Sequence, residues 1–529
     1  MLQHSFFLSR YLSIPAALTL AVAGTALSLS AQTAKLQPKS MPAIAHVSDR
    51  FQSYNVEMIE VTGGRFWAPY KAQADAPADT EQPTPGGMPA SLYRYRPPVD
   101  FANPQLRKLA AALGPAYIRV SGTWANSTWF DDSDGPAPEK PPAGFNGVLT
   151  RAEWKGVVDF AKAADAELVT SFAISPGVRN AEGVWTPSEA KKILDYTKSI
   201  GGTVAAAEMF NEPTFASMGG APKGYSAADY GRDFKAFVAF MQKDAPSVKI
   251  LGPSAVGEPG LTHGMPGLKS LASADLLRDE GPGIDAFSYH FYGGVSRRCD
   301  PTGKMGSSPA TALSSEWLNR TLRDEAFYAK LRDEFTPGKP LWLTETGEAA
   351  CGGDPWASKF IDAFRYLNQL GALAQKNVQV VMHNTLDASD YAFIDESTLA
   401  PRPDYWAALL WRRLMGTTVL DPGASPSPDL HIYAQCLRGT PGGVTVLAIN
   451  ASRTQSAQIK LPKKSSRYTL TSPNLESTTS LLNGTELKLT TDGNLPNIGG
   501  VAQKSGNITL VPASITFFAI PSAGNSACH

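Results

Sequence analysis

The 529 residues exceed what one simple core accommodates, so the chain is expected to fold as more than one domain. The composition is that of a globular protein, 43% hydrophobic and 18% charged. The 48 Lys and Arg are balanced by 48 Asp and Glu, which removes the basic excess that nucleic-acid or polyanion binding requires.

Arg10 precedes an apolar run, YLSIPAALTLAVAGTALSLS, that ends in small residues near Ala31. Residues 1–31 read as a secretory signal peptide. A membrane anchor is the alternative, and Pro15 with the many Ala, Ser and Thr residues argues against it. No later stretch is long and apolar enough to cross a bilayer, so no stable membrane insertion is expected. A periplasmic or secreted protein meets an oxidising environment, where Cys299, Cys351, Cys436 and Cys528 allow three pairings. The favoured set is Cys436–Cys528, clipping the chain end to its domain, with Cys299–Cys351; free buried thiols are the other reading. Their spacing fits no zinc motif.

From about residue 54, strand-like and helix-like segments alternate. The predicted strands are YNVEMIEV (54–61), AYIRVSG (116–122), ELVTSFA (167–173), VAAAEMF (204–210), VKILGPS (248–254), IDAFSYHFY (284–292), LWLTET (341–346) and VQVVMHNT (378–385). Most are apolar on successive residues, as in parallel strands covered on both faces. The clearest helical patterns are PQLRKLAAAL, SEAKKILDYTKSI, AADYGRDFKAFVAFMQKD, DPWASKFIDAFRYLNQLGAL and PDYWAALLWRRLMG. Eight such pairs predict an α/β fold, a (β/α)8 barrel over residues 32–415. A doubly wound open sheet competes, but no Gly-rich phosphate loop follows the first strand. The Pro-, Gly- and Ala-rich inserts KAQADAPADTEQPTPGGMP and DSDGPAPEKPPAGFNG are expected as rim loops. After residue 416, short β-rich runs separated by turn residues predict an antiparallel β-sandwich over 416–529, to which the first residues of the mature chain could add a strand.

In such a barrel the chemistry sits at the carboxyl ends of the strands. The fourth strand stops at Asn211-Glu212-Pro213, and the seventh carries Glu345 in T-E-T-G. Two facing carboxylates about 5 Å apart make a retaining glycosidase, whereas roughly 6.5–9.5 Å makes an inverting one. Glu212 is expected as acid/base, Glu345 as nucleophile, and Asn211 as a partner for a sugar 2-hydroxyl. His290 and Tyr292, in SYHFYGG, are expected at the end of the sixth strand, to orient Glu345 or line the sugar site; an ordinary core histidine is the competing reading for His290.

LGPAYIRVSGTWANSTWFD, AEMFNEP, IDAFSYHFYGG, LWLTETGEAACGG and VVMHNTLDASDYAFIDE…PRPDYWAALLWRRLMGTTVL occur in this order along most of the mature chain. Together they resemble glycoside hydrolase family 79, the heparanases and β-glucuronidases, with this chain as an exported, bacterial-type member. The resemblance implies a cofactor-free, metal-independent retaining hydrolase acting on β-glucuronosidic linkages of glucuronic-acid-containing oligo- or polysaccharides. It places Glu212 on the acid/base and Glu345 on the nucleophile. Tyr391 and the backbone of Gly352 and Gly353 fall on the group that receives the uronic-acid carboxylate, and Glu57 and Thr123 on contacts to sugar hydroxyls. Cys436–Cys528 matches the family's sandwich disulfide.

The basic clusters of heparanases have no counterpart beyond Arg297, Arg298 and the scattered charges of RAEWK (151–155). Exo or endo action depends on whether the PPVDF and FNGVLT loops close one end of the cleft. A non-hydrolytic glycan-binding protein on the same scaffold is the alternative. Another barrel glycosidase, an arabinofuranosidase or xylosidase, is a further one, with Tyr391 and the C-G-G loop as discriminators.

Overall fold

The computed structural model describes residues 33–70, 84, 88–261, 270–280 and 283–529. The expected signal peptide and most of the 71–89 insert lie outside the described residues.

All eight predicted barrel strands are present: β1 (Gln52–Glu57), β2 (Ala116–Ser121), β3 (Ala166–Ser171), β4 (Val204–Glu208), β5 (Lys249–Ala255), β6 (Ala286–Tyr292), β7 (Leu341–Gly347) and β8 (Val380–His383). They are parallel, hydrogen-bonded in chain order, and closed by pairing of β8 with β1. A helix follows each strand: α1 (Pro104–Ala111), α2 (Arg151–Ala163), α3 (Ser188–Ser199), α4 (Ala227–Asp244), α5 (Ser273–Glu280), α6 (Arg320–Phe335), α7 (Asp362–Gln375) and α8 (Pro403–Leu414). The open-sheet alternative is therefore excluded.

Two boundaries differ from expectation by more than two residues. β1 stops at Glu57 instead of Val61, because Glu60 Oε2 takes the Glu57 N–H at 2.6 Å and turns Met58–Thr62 into a helical turn. The helix expected from Asp354 begins only at Asp362. α2, α5 and α6 were not among the clearest sequence patterns, although Thr150 and Glu153 form a reciprocal capping box at the start of α2. Beyond β1, Gly64–Trp67 pairs with Tyr93–Arg96 as a hairpin across the top of the barrel.

Residues two apart on a strand share a face, so the barrel interior is layered. Tyr117, Ala206, Leu251, Ala286, Trp342 and Val380 plug the lower end with apolar side chains. Two residues further along, β2 and β4 bring Arg119 and Glu208 together, both essentially without solvent exposure. Above that ionic layer lie Glu57, Tyr292, Glu345 and Asn384. The polar floor of the pocket thus rests on a sealed base.

Met415–Leu420 leads directly from α8 into a nine-stranded sheet. Ala43–His46 pairs with Met415–Leu420, and Thr33–Lys35 joins a second, three-stranded sheet. Alternation along Ser514–Ile520 sends Phe518 into the core between the sheets and Phe517 into the core shared with the barrel. Gly371 of α7 lies so close to this larger sheet that a Cβ there would come within 2.3 Å of the Tyr433 ring. Both favoured disulfides, Cys299–Cys351 and Cys436–Cys528, are formed.

Candidate active site

The carboxyl ends of the strands surround a pocket of about 140 Å³. Glu57, Thr123, Asn211, Glu212, Tyr292, Glu345 and Tyr391 all line it. His290, Gly352 and Gly353 do not; they stand behind the wall.

The strand that carries Glu212 is ended by a side-chain clamp. Asn126 Oδ1 accepts the Asn211 N–H at 2.8 Å, and Asn126 Nδ2 donates to the Asn211 carbonyl at 2.9 Å. Glu212 then adopts φ 53°, a left-handed conformation that costs a non-glycine residue roughly 1–2 kcal/mol. Pro213 follows at the start of a 3-10 turn, so the ladder cannot resume. The result is a carboxylate turned into the pocket, with its side chain 19% exposed. Burial pushes the Glu212 carboxyl up to about 7, against the pull of Arg119 and with help from Glu208.

Glu345 lies within β7, beside His290 of β6 in register. Both its oxygens are held: Oε2 accepts from Arg119 Nη1 at 2.8 Å, and Oε1 from the Tyr292 hydroxyl at 2.7 Å. One oxygen of Glu212, one of Glu345 and a His290 nitrogen all lie within 4.8 Å of one another. Oxygens that approach this closely agree with the short carboxylate separation of retaining glycosidases, about 5–5.5 Å, and not with the roughly 6.5–9.5 Å of inverting ones.

Arg119 organises this pair and was not singled out from the sequence. Its Nε and Nη2 donate to Glu208 Oε2 at 3.0 and 2.8 Å, and Nη2 also reaches Asn211 Oδ1 at 2.7 Å. Against the upward push of burial, the Arg119 guanidinium holds Glu208 below the usual carboxylate range. Arg119 Nη2 also meets His290 Nε2 at 3.3 Å. The two Nη2 hydrogens are taken by the shorter bonds to Glu208 and Asn211, and an N–H on Nε2 would point at a cationic donor, so Nε2 presents its lone pair to the guanidinium and the imidazole proton sits on Nδ1. Nδ1 faces Glu212 Oε1 at 3.0 Å. His290 therefore donates to one oxygen of Glu212 and leaves the other for the proton that the carboxyl carries. Burial, with Arg119 adding to it, lowers His290 to about 4, so the contact is a hydrogen bond from a neutral ring. The same arrangement makes Glu212, His290 and Glu345 an unsuitable cation site, since the nitrogen facing the carboxylates carries a proton, the Nε2 lone pair faces Arg119, and that guanidinium stands alongside Glu345.

Asn384, also missed, ties the far wall together. Its Nδ2 lies 3.1 Å from Glu57 Oε1, 3.0 Å from the Tyr292 hydroxyl and 3.1 Å from the Tyr391 hydroxyl. Burial, and then the charge of Glu345, raise Glu57 well above the usual carboxylate range. Gly122, with φ 90°, makes room for that carboxyl: a Cβ there would lie 1.5 Å from Glu57 Oε2. Burial, reinforced by Glu57 and Glu345, likewise keeps the Tyr391 hydroxyl protonated.

The loop after β7 is held from behind. Cys351, Gly352 and Gly353 all have positive φ. Arg298 Nη1 binds the carbonyls of Cys351 and Gly353 at 3.0 and 2.6 Å, and Ser389 Oγ binds that of Gly352 at 2.9 Å. The Gly353 N–H is taken by Ala349 at 3.1 Å, while the Gly352 N–H has no acceptor among the described residues. Arg298 also pairs with Asp390 and stacks on Tyr70, so it is buried and neutralised. Of the two arginines in SRRCD, only Arg297 faces solvent. Trp67 and Trp124, edge-on at 6.4 Å, complete the pocket with aromatic surface.

No family model matches the chain. It is 29% identical over 494 residues to a heparanase of Rattus norvegicus, covering 81% of this chain and 87% of that protein. It is 28% identical over 489 residues to a hyaluronoglucuronidase of Hirudo nipponia, covering 83% and 93%. Among solved structures, a 4-O-α-L-rhamnosyl-β-D-glucuronidase of Fusarium oxysporum superposes with TM-score 0.60 at 13% identity, over 92% of this chain and 100% of that one. An α-L-arabinofuranosidase of Thermotoga maritima matches with TM-score 0.59 at 16% identity, over 92% and 99%. At those identities the structural matches show the barrel-and-sandwich fold alone, and the sequence matches discriminate between them. Over most of its length the chain is thus similar to heparanases and to glucuronidases.

Proposed function

We propose that this glycoside hydrolase cleaves β-glucuronosidic linkages in glucuronic-acid-containing glycans by double displacement. The observation that carries the reading is the pair Glu212 and Glu345, with oxygens within 4.8 Å across one pocket but in opposite environments. Glu212, uncharged below about pH 7, protonates the leaving oxygen and later takes a proton from water. Glu345, gripped by Arg119 and Tyr292, attacks the anomeric carbon and forms the glycosyl-enzyme. Asn211 gives its carbonyl oxygen to Arg119, which leaves its amide nitrogen for a sugar 2-hydroxyl.

The uronic-acid carboxylate is assigned to the Tyr391 hydroxyl with the Gly352 N–H behind it, and Glu57 and Thr123 to ring hydroxyls. Neutral donors of this kind bind a carboxylate without a full counter-charge. The second reading, a glycan-binding protein without turnover, has no use for a nucleophile held at both oxygens beside a protonated acid. We further assign the protein to an oxidising compartment after export, a reading supported by the two disulfides. Amino-terminal sequencing of the mature protein tests the expected cleavage near Ala31.

The test of the main reading is the stereochemistry of hydrolysis. Proton NMR of an aryl β-glucuronide digest should show β-glucuronic acid first, with the α-anomer appearing only by mutarotation. First appearance of the α-anomer would refute double displacement, and no hydrolysis would refute the substrate.

A further inference from the structure

The pocket that holds both carboxylates opens sideways past Thr123, Trp124, Met218 and Gly219 into a larger cavity of about 580 Å³. None of the chemistry assigned above uses this second space. Its construction is nevertheless continuous with the first. In the hairpin over the barrel, Arg65 stands opposite Tyr95 and Trp67 opposite Tyr93. Cross-strand partners, and residues two apart, share a face of a two-stranded ribbon. One hairpin face therefore runs from Trp67 in the first pocket to Arg65 and Tyr95 in the second. Trp124 forms the ridge between the two and belongs to both.

The opposite wall comes from the FNGVLT segment, through Asn146, Gly147, Val148 and Thr150. That segment lines an open cavity and does not close the cleft at this side. Tyr95 is 59% exposed, a large aromatic left in water on the rim of a concave site. An aromatic rim with amide and hydroxyl groups around it suits a saccharide, whose rings offer a C–H face and a hydroxyl edge. The charges there are Arg65, Glu139 and Glu153, with no cationic excess to hold sulfate groups.

We propose that this second cavity binds a neighbouring, unsulfated saccharide unit of the same glycan, so that the protein reads at least two consecutive sugars. The inference rests on the reading that the first pocket takes the glucuronic acid unit. Tyr95 supplies the stacking surface, Asn146 a hydrogen-bonding amide, and Trp124 the step between the two units.

The test is calorimetric titration of the Glu345→Gln protein with unsulfated oligosaccharides of alternating glucuronic acid and N-acetylhexosamine, with and without Tyr95→Ala and Asn146→Ala. The expected result is at least fivefold weaker binding in the triple variant, while turnover of an aryl β-glucuronide by the Tyr95→Ala, Asn146→Ala enzyme stays within twofold of the parent. Oligosaccharides ending in glucuronic acid at the non-reducing end extend only toward the leaving group; internal ones extend both ways. Loss seen with both kinds places the cavity on the leaving-group side, and loss seen only with internal ones places it on the other; either supports the proposal. Unchanged affinity for both kinds, no binding to Glu345→Gln, or an equal fall in aryl glucuronide turnover overturns it. If the parent enzyme fails to hydrolyse any aryl glucuronide, the substrate reading falls, while the oligosaccharide titration still decides the cavity.

Discussion

His290 Nε2 faces Arg119 Nη2 across 3.3 Å, and that contact sets the direction in which the ring meets Glu212. With Nε2 occupied, Nδ1 carries the proton and donates to Glu212 Oε1. A donor aimed at a carboxylate favours its charged form. Replacing His290 with Phe should therefore raise the apparent ionisation of Glu212 and move the alkaline limb of kcat/KM to higher pH, with a lower plateau. A purely structural histidine would lower the plateau and leave the limb where it was.

The parent profile has its own expected shape. Glu212 must carry a proton to act on the free substrate, and burial holds that proton to about pH 7. The alkaline limb of kcat/KM should therefore be a fall in activity as pH rises through that value. Glu212→Ala should abolish the limb for aryl glycosides with good leaving groups, while slowing poor leaving groups by about 10²–10⁴-fold. A limb that persists in Glu212→Ala assigns the acid elsewhere.

Specificity for the carboxylate is a separate test. Tyr391→Phe removes a hydroxyl and should lower the glucuronide-to-glucoside ratio of kcat/KM by about tenfold, near the value of one hydrogen bond to a charged group. Arg298→Gln should do the same at a distance, through the carbonyls of Cys351 and Gly353 that it now holds. A ratio unchanged in both variants dismisses this wall as the reader of the carboxylate.

Stability should also register the ionic layer. Arg119→Met leaves Glu208 buried without its counter-charge, a change that costs about 3–5 kcal/mol in comparable settings. Chemical denaturation measures it. Adding Glu208→Leu should restore part of the loss, because a buried pair replaced on both sides is nearly neutral. A double variant as unstable as the sum of the two singles contradicts the coupling.

The parts of this site that were legible in the sequence are local. Asn211-Glu212-Pro213 and the T-E-T-G of β7 interrupt apolar strands with chemistry and a helix breaker, and each needs only its neighbours to be read. Arg119, Glu208 and Asn126 were passed over because their meaning lies in partners 85 or more positions away, and Asn384 because two of its three partners are equally distant. A signal existed for two of them. A charged residue inside AYIRVSG and another inside VAAAEMF must be buried, and buried charges must find each other. The Cys351–Gly353 loop shows the opposite case: its glycines mark the turn, but which N–H is available depends on carbonyls held from a distant loop.

The central claim is tested most directly by trapping the covalent intermediate. A 2-deoxy-2-fluoro-β-glucuronide with a good leaving group should inactivate the protein, and peptide mapping by mass spectrometry should place the adduct on Glu345. The Glu345→Gln protein should take no label. An adduct on another residue, or rapid turnover to an inverted product without any adduct, would contradict the account.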